Sequence, residues 1–220
     1  MAGLTSSTIG RKYAMALSAM FLLSFLVIHV SSNMTSVFSE DVYNVVAHFM
    51  GYNPLVQYVL QPVLAIGVVF HFVMGFILEI KNNKARPVKY ASNNGAANSS
   101  WVSRNMIISG AVILAFFALH FYDFWFPELD YKFIAHNPID ETRYWGELHH
   151  KFHDIWRVVL YVIAFVLLGL HLAHGFQSSF QSIGARHPKY TPVIKALGTW
   201  FSILVPLGFI IIAIFHFVTQ

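Results

Sequence analysis

The residues able to do chemistry in this chain are its histidines. Twelve His and no Cys occur in 220 residues, which excludes disulfides, thiolate zinc sites, iron–sulfur ligation by this chain and Cys-attached haem. A metal ion must be held by His, Met or oxygen. Four of the histidines, His29, His71, His120 and His171, fall inside long apolar runs. An imidazole facing lipid is costly, and ionisable groups within a membrane span face the interior and carry function. The bland alternative, a hydrogen bond from each ring to a neighbouring helix, suits one such residue better than four.

The elements that must position them follow from composition. The chain is 56% hydrophobic and 11% charged, with 21 Phe, whereas soluble domains are ~25% charged. An integral membrane protein is the reading, all-α, a single domain over 1–220. A span takes about 20 helical residues, and five segments qualify: Arg11 to Ser32, Leu55 to Lys81, Trp101 to Phe126, Phe152 to Gln181 and Thr191 to Val218. Their length and lack of alternation exclude a β-barrel. Pro62 and Pro206 would kink two of them, and Pro192 suits a first helical turn. Nothing in Met1 to Gly10 resembles a cleaved leader, so the first run is read as a retained helix. No phosphate loop, acidic metal loop, nucleophile elbow or solenoid repeat occurs.

Charge sets the orientation. Arg11, Lys12, Lys81, Lys84, Arg86, Lys89, Arg104, Arg186, Lys189 and Lys195 flank one side of a five-helix zigzag, and Lys132, Arg143, Lys151 and Arg157 the other. Lys and Arg are retained in the cytoplasm, so the N-terminus is expected there. Nine of the ten acidic residues, all but Glu79, fall on the opposite side. The net charge of +4 is thereby explained by topology, not nucleic acid. Asn82 to Ser100 reads as an inside loop and Pro127 to Lys151 as an outside loop.

With helices rising 1.5 Å per residue, His29 and His120 come to about 24–27 Å from the inner surface, and His71 and His171 to about 15 Å. Four helices thus supply two pairs of imidazoles at two levels. Bis-His ligation of haem needs one His from each of two helices at equal depth, with a flat slot between. The slot has its own signal: His71-Phe72-Val73-Met74-Gly75 and His171-Leu172-Ala173-His174-Gly175 each place Gly one turn after His, on the same face. His174 is a rival ligand without that following Gly. His216, with no unpaired partner at its level, reads as a packing or quinone-side residue and not as a ligand. His149, His150 and His153 resemble a metal cluster on paper and read as a solvated helix start.

Gly10-Arg11-Lys12 through Met15-Ala16-Leu17-Ser18, then Phe21-Leu22-Leu23 and His29, resemble the first helix of the dihaem cytochrome b membrane anchor of succinate dehydrogenase and fumarate reductase. Ser103-Arg104 leading to His120-Phe121, and His171 to Phe176, are similar to its later helices. The resemblance extends over nearly the whole chain and is to the one-subunit, two-haem type. It implies two haem b, with His71 and His171 ligating the proximal one and His29 and His120 the distal one. It implies an iron–sulfur subunit docked on the cytoplasmic side, a flavoprotein subunit with FAD, and placement in a bacterial inner membrane. Electrons would pass to a quinone, menaquinone in this type, near the distal haem, with Gln57, Gln61, His153 and His216 as candidate contacts. Some relatives carry a proton-moving carboxylate on the fourth helix. Here Gly169 precedes His171 by two and no acidic residue follows Asp154 on that helix, which favours electrogenic transfer and succinate oxidation. The alternative is the cytochrome b of a hydrogenase, formate dehydrogenase or ascorbate-type reductase. A haem-free transporter would want charges or broken helices at midplane, and none are found.

Overall fold

A computed structural model describes residues 7–84 and 105–220. Among these every regular element is helical. Five helices are long and apolar enough to cross a membrane: α1 (Thr8–Phe38), α3 (Val56–Lys84), α4 (Met106–Ile134), α6 (Ile155–Ser182) and α7 (Thr191–Val218). Two shorter helices, α2 (Glu40–Tyr52) and α5 (Arg143–Lys151), cover one end. Trp101 to Arg104, Arg86, Lys89 and the stretch from 85 to Ser100 lie outside the described residues.

Local signals start and stop the helices. Ser7 caps α1, its hydroxyl accepting from Gly10 N at 2.9 Å. Ser39 sits in extended backbone, ends α1 and caps α2 through a bond from Val42 N at 3.3 Å. Asp154 caps α6, accepting from Trp156 N at 2.9 Å, so that helix begins at Ile155 and not at Phe152, which is a buried C-cap of α5. Pro192 occupies the first turn of α7, where its missing N–H is not needed.

Contacts alone establish the alternation of the spans. The early part of α1 meets late α3 and late α6, through Ser18 to His71 and Tyr13 to Ile183. Early α4 meets late α6 through Ser109 and His171. Further along, late α1 meets the middle of α4 and late α7 through His29, His120 and Phe209. Helices α6 and α7 pack most extensively. Close approach is built on glycine: a Cβ on Gly208 would sit 2.7 Å from Val30, on Gly198 2.9 Å from Phe176 and on Gly67 2.9 Å from Phe21. Elsewhere large apolar side chains such as Ile66, Val69, Trp156 and Trp200 point outward, as spans in hydrocarbon require.

Two span ends run past the sequence expectation for physical reasons. The first span runs on to Phe38, because Asn33, Thr35 and Ser36 bond back to the helix and add no break. The third runs through Pro127 to Ile134 instead of stopping at Phe126. It widens by one residue just before the proline, Phe126 N bonding to Phe121 O, and a wide turn likewise precedes Pro62, with Gln61 N bonding to Val56 O. Proline supplies no N–H and crowds the preceding turn; the wider turn makes room. The expected outer loop is thus mostly helical, and the stretch between the first two spans, to which no element was assigned, contains the acidic-headed helix α2.

Candidate functional sites: two imidazole pairs across four helices

Four histidines of the spans meet in two pairs. At the first, His71 of α3 and His171 of α6 face each other with ring centres 6.4 Å apart. Each is held by a serine of a third helix. Ser18 Oγ donates to Met15 O at 2.8 Å and Ser109 Oγ donates to Met106 O at 3.0 Å. Their hydrogens being spent, these hydroxyls accept from Nδ1–H of His71 at 3.2 Å and of His171 at 3.1 Å. The neutral tautomer of both rings is therefore Nδ1–H, and the lone pair of each lies on Nε2.

At the second place, His29 of α1 and His120 of α4 stand 5.9 Å apart in an aromatic shell. Phe25 stacks on His29 at 5.1 Å and Phe116 on His120 at 5.7 Å, with Phe209, Phe124 and Tyr161 beside them. Asn33 Nδ2 donates to His29 O at 2.8 Å and lies 3.3 Å from Nδ1. Nδ1 of His120 is fully buried without a partner, the sort of orphaned atom that a ligand or ordered water takes up.

Two imidazoles that share a first-row metal ion from opposite sides place their nitrogens about 2 Å from it, and their ring centres then fall about 6 Å apart. Both observed separations match. Edge-to-face packing of two rings spans the same range but contributes only about 0.5–1.5 kcal/mol, and an unpartnered polar atom in hydrocarbon costs several kcal/mol. Among the described residues Nε2 of none of the four accepts or donates a hydrogen bond, and none of these atoms is sealed off. The donor set, two neutral imidazoles from two different helices, suits haem iron, so the residues present fit that group. Among the described residues no three or more His, Cys, Asp or Glu gather to hold a bare metal ion.

The two glycines one turn beyond His71 and His171 behave differently from the packing glycines. A Cβ on Gly75 would meet only Met15 Cε at 3.8 Å, and on Gly175 only Met106 Cε at 4.0 Å. Helix contact does not require glycine at either position. By contrast, a Cβ on Gly169 would lie 3.0 Å from Ser202 O, the carbonyl that Pro206 leaves without a helical donor, and 3.4 Å from Pro206. A carboxylate has no room there. His174, one turn from His171, has no ring partner among the described contacts.

The remaining candidates are spread over the far end. Gln61 is exposed, its amide 3.5 Å from Met50 O, and Gln57 lies in the wide turn that opens α3. Two expectations are corrected. His149 and His150 close α5 and do not begin a solvated helix, because α5 packs its last turn on the bundle; His149 is half-buried. His216 does have a partner: its Nδ1 lies 3.2 Å from Nδ1 of His149. Sequence reasoning also passed over Asp123, fully buried one turn beyond His120, bonded by Tyr161 Oη at 2.8 Å and ion-paired with Arg157. Its signal was an acidic residue spaced to match a basic one at the start of the next span. Above it Arg143 pairs with Glu128 and with Glu147 at 2.8 Å, and Lys132 with Glu128 at 2.5 Å and Gly51 O at 2.7 Å, tying α2, α4 and α5 together.

No family model, no curated protein and no solved structure matches this chain. The class that fold and site define is a five-span helical membrane protein with two half-buried, inter-helical histidine pairs.

Proposed function

We propose that the chain is a dihaem cytochrome b, the membrane anchor of a succinate:quinone oxidoreductase, and that it conducts electrons from an iron–sulfur partner to a quinone. The observation that carries the haem reading is the pair of imidazole pairs, 6.4 and 5.9 Å apart, with every Nε2 free. His71 and His171 would hold one haem and His29 and His120 the other. The bound haem supplies reversible one-electron transfer at its iron, with bis-His ligation tuning the potential.

The chain's own residues do the rest. Ser18 and Ser109 fix the Nδ1–H tautomer and the ring orientation, and so present the Nε2 lone pair, the usual second-shell arrangement of a ligating imidazole. Gly75 and Gly175 leave the macrocycle's edge unobstructed. The Phe shell of His29 and His120 excludes water from that centre, so its charge is felt through a low dielectric. The excess of Lys and Arg at one end supports docking of the iron–sulfur partner there, and makes that end cytoplasmic. The partner with FAD carries the dicarboxylate chemistry.

The direct test is to isolate the chain with its native partners. Co-purification of an iron–sulfur protein and a flavoprotein, with haem reduced by succinate, is the expected result. Haem that ignores succinate but is reduced by hydrogen, formate or ascorbate with the matching partner would assign the chain to one of those oxidoreductases instead.

A further inference from the structure

The far end of the bundle holds a second set of imidazoles that neither pair uses. His216, with none of its surface exposed, sits near the end of α7 between α1 and α5. Its two nitrogens are both engaged, Nδ1 with His149 Nδ1 at 3.2 Å and Nε2 with Ser36 Oγ at 3.0 Å. Ser36 Oγ donates to Asn33 O at 2.7 Å, so it accepts from His216 Nε2–H. His216 Nδ1 is then a lone pair and accepts from His149 Nδ1–H, which leaves the lone pair of His149 on Nε2. The exposed His153 ring lies 5.0 Å from that of His149. Trp145 stacks on His149 at 4.6 Å and donates to Ser36 O at 2.9 Å, which holds the dyad in place.

The donors run in one direction, from the surface inward, and stop two helical turns from His29, about 10 Å along α1. Asn33, the acceptor of the Ser36 hydroxyl, also bonds to His29. A purely structural network would not need two titratable rings in direct N–N contact, since one ring and an amide satisfy the same atoms.

We propose that the His149–His216 dyad is a redox-linked proton site: it takes one proton from the far-end aqueous surface, past His153, when one electron reaches the His29–His120 centre from the His71–His171 centre, and releases it there when the electron leaves to a quinone. The proposal rests on the haem reading of the two pairs. The incoming proton binds His149 Nε2, and the Nδ1 hydrogen of His149 moves to His216 Nδ1. His216 is then a cation with both nitrogens donating, and His149 is neutral again. One electron and one proton enter and leave together. The titratable groups that act on the dyad from outside it are His153 in the α5–α6 link and Glu40 of α2; His150 and Glu147 stand exposed on α5, turned to His153 and Arg143. Burial, then His153, hold His149 below the ordinary imidazole range, and Glu40 acts the other way. The dyad is thus neutral until negative charge arrives nearby.

The test is a spectroscopic redox titration of the purified complex at several pH values. Because the reduced state holds the extra proton, the midpoint of the His29–His120 haem should fall as pH rises, by up to 59 mV per tenfold change in proton activity for one electron, and the other haem should stay nearly flat. His216→Asn keeps a donor to Ser36 but takes no proton, and His149→Gln does the same at the second ring. Each should cut the slope to less than half with two haems retained. An unchanged slope in both, or one abolished only by Asp123→Asn, overturns the proposal and leaves the haem reading intact. A complex without haem overturns both.

Discussion

At the scale of single residues, the two serines separate a ligand pair from a packing pair. If Ser18 and Ser109 orient ligating rings, Ser18→Ala or Ser109→Ala should weaken retention of one haem by roughly 10- to 100-fold, the usual cost of losing such a partner, and shift its reduction potential. Haem content during dialysis against apomyoglobin reads this. If the rings merely pack, either change leaves haem content alone. The glycines divide the same way. Gly75→Leu and Gly175→Leu, where the first added carbon meets only the end of a methionine side chain, should remove the haem that His71 and His171 would hold, whereas Gly169→Leu should destabilise the fold by about 1–3 kcal/mol through overpacking against Ser202 O and Pro206. Haem content and thermal unfolding, measured on the same samples, distinguish the two. The four imidazoles and their pairing were legible in the sequence because helix rise converts position to depth. The serines were not, since nothing in the spacing of Ser18 or Ser109 says which neighbour their helix faces.

At the scale of elements, hydropathy marked the five spans but blurred their ends. Pro127 read as a stop, yet a wide turn carries α4 past it and so brings Glu128 and Lys132 to α2 and α5. The helix α2 was hidden because its apolar face, Val42, Val45 and Phe49, is exposed and reads as neither core nor span; Ser39 followed by two acidic residues was its only signal. Helix α5 offers a pH test. His149 is titrated from an ordinary value of 6.5 downward by burial, so the fold favours its neutral form. The stability it contributes is complete above pH 6.5 and is lost as pH falls through its lower folded value. Amide exchange in Arg143–Lys151 should therefore quicken at mildly acidic pH, and His149→Gln should remove that dependence. An acid-insensitive α5 in the unsubstituted chain would contradict the buried dyad.

At the scale of the whole molecule, the two pairs lie at two levels along the bundle, so under the proposed function electrons passing between them would move part of the way across the membrane. Each charge carried through the full potential corresponds to about 2.3 kcal/mol per 100 mV. Helix α6 has no carboxylate beside His171, and Gly169 leaves no space for one. Quinol-driven fumarate reduction by the complex in liposomes should then generate a potential visible with a voltage-sensitive dye; a flat signal under turnover would mean that a compensating proton path crosses the bundle.

All of this depends on two haems held by four named histidines. The purified chain should give a pyridine haemochrome stoichiometry of two haem b per chain, with His71→Ala and His171→Ala each removing one and the same one, and His29→Ala and His120→Ala each removing the other. Two haems in the unsubstituted chain with that pairwise pattern is the expected result. No haem in the chain, or substitutions that pair the histidines differently, would contradict it.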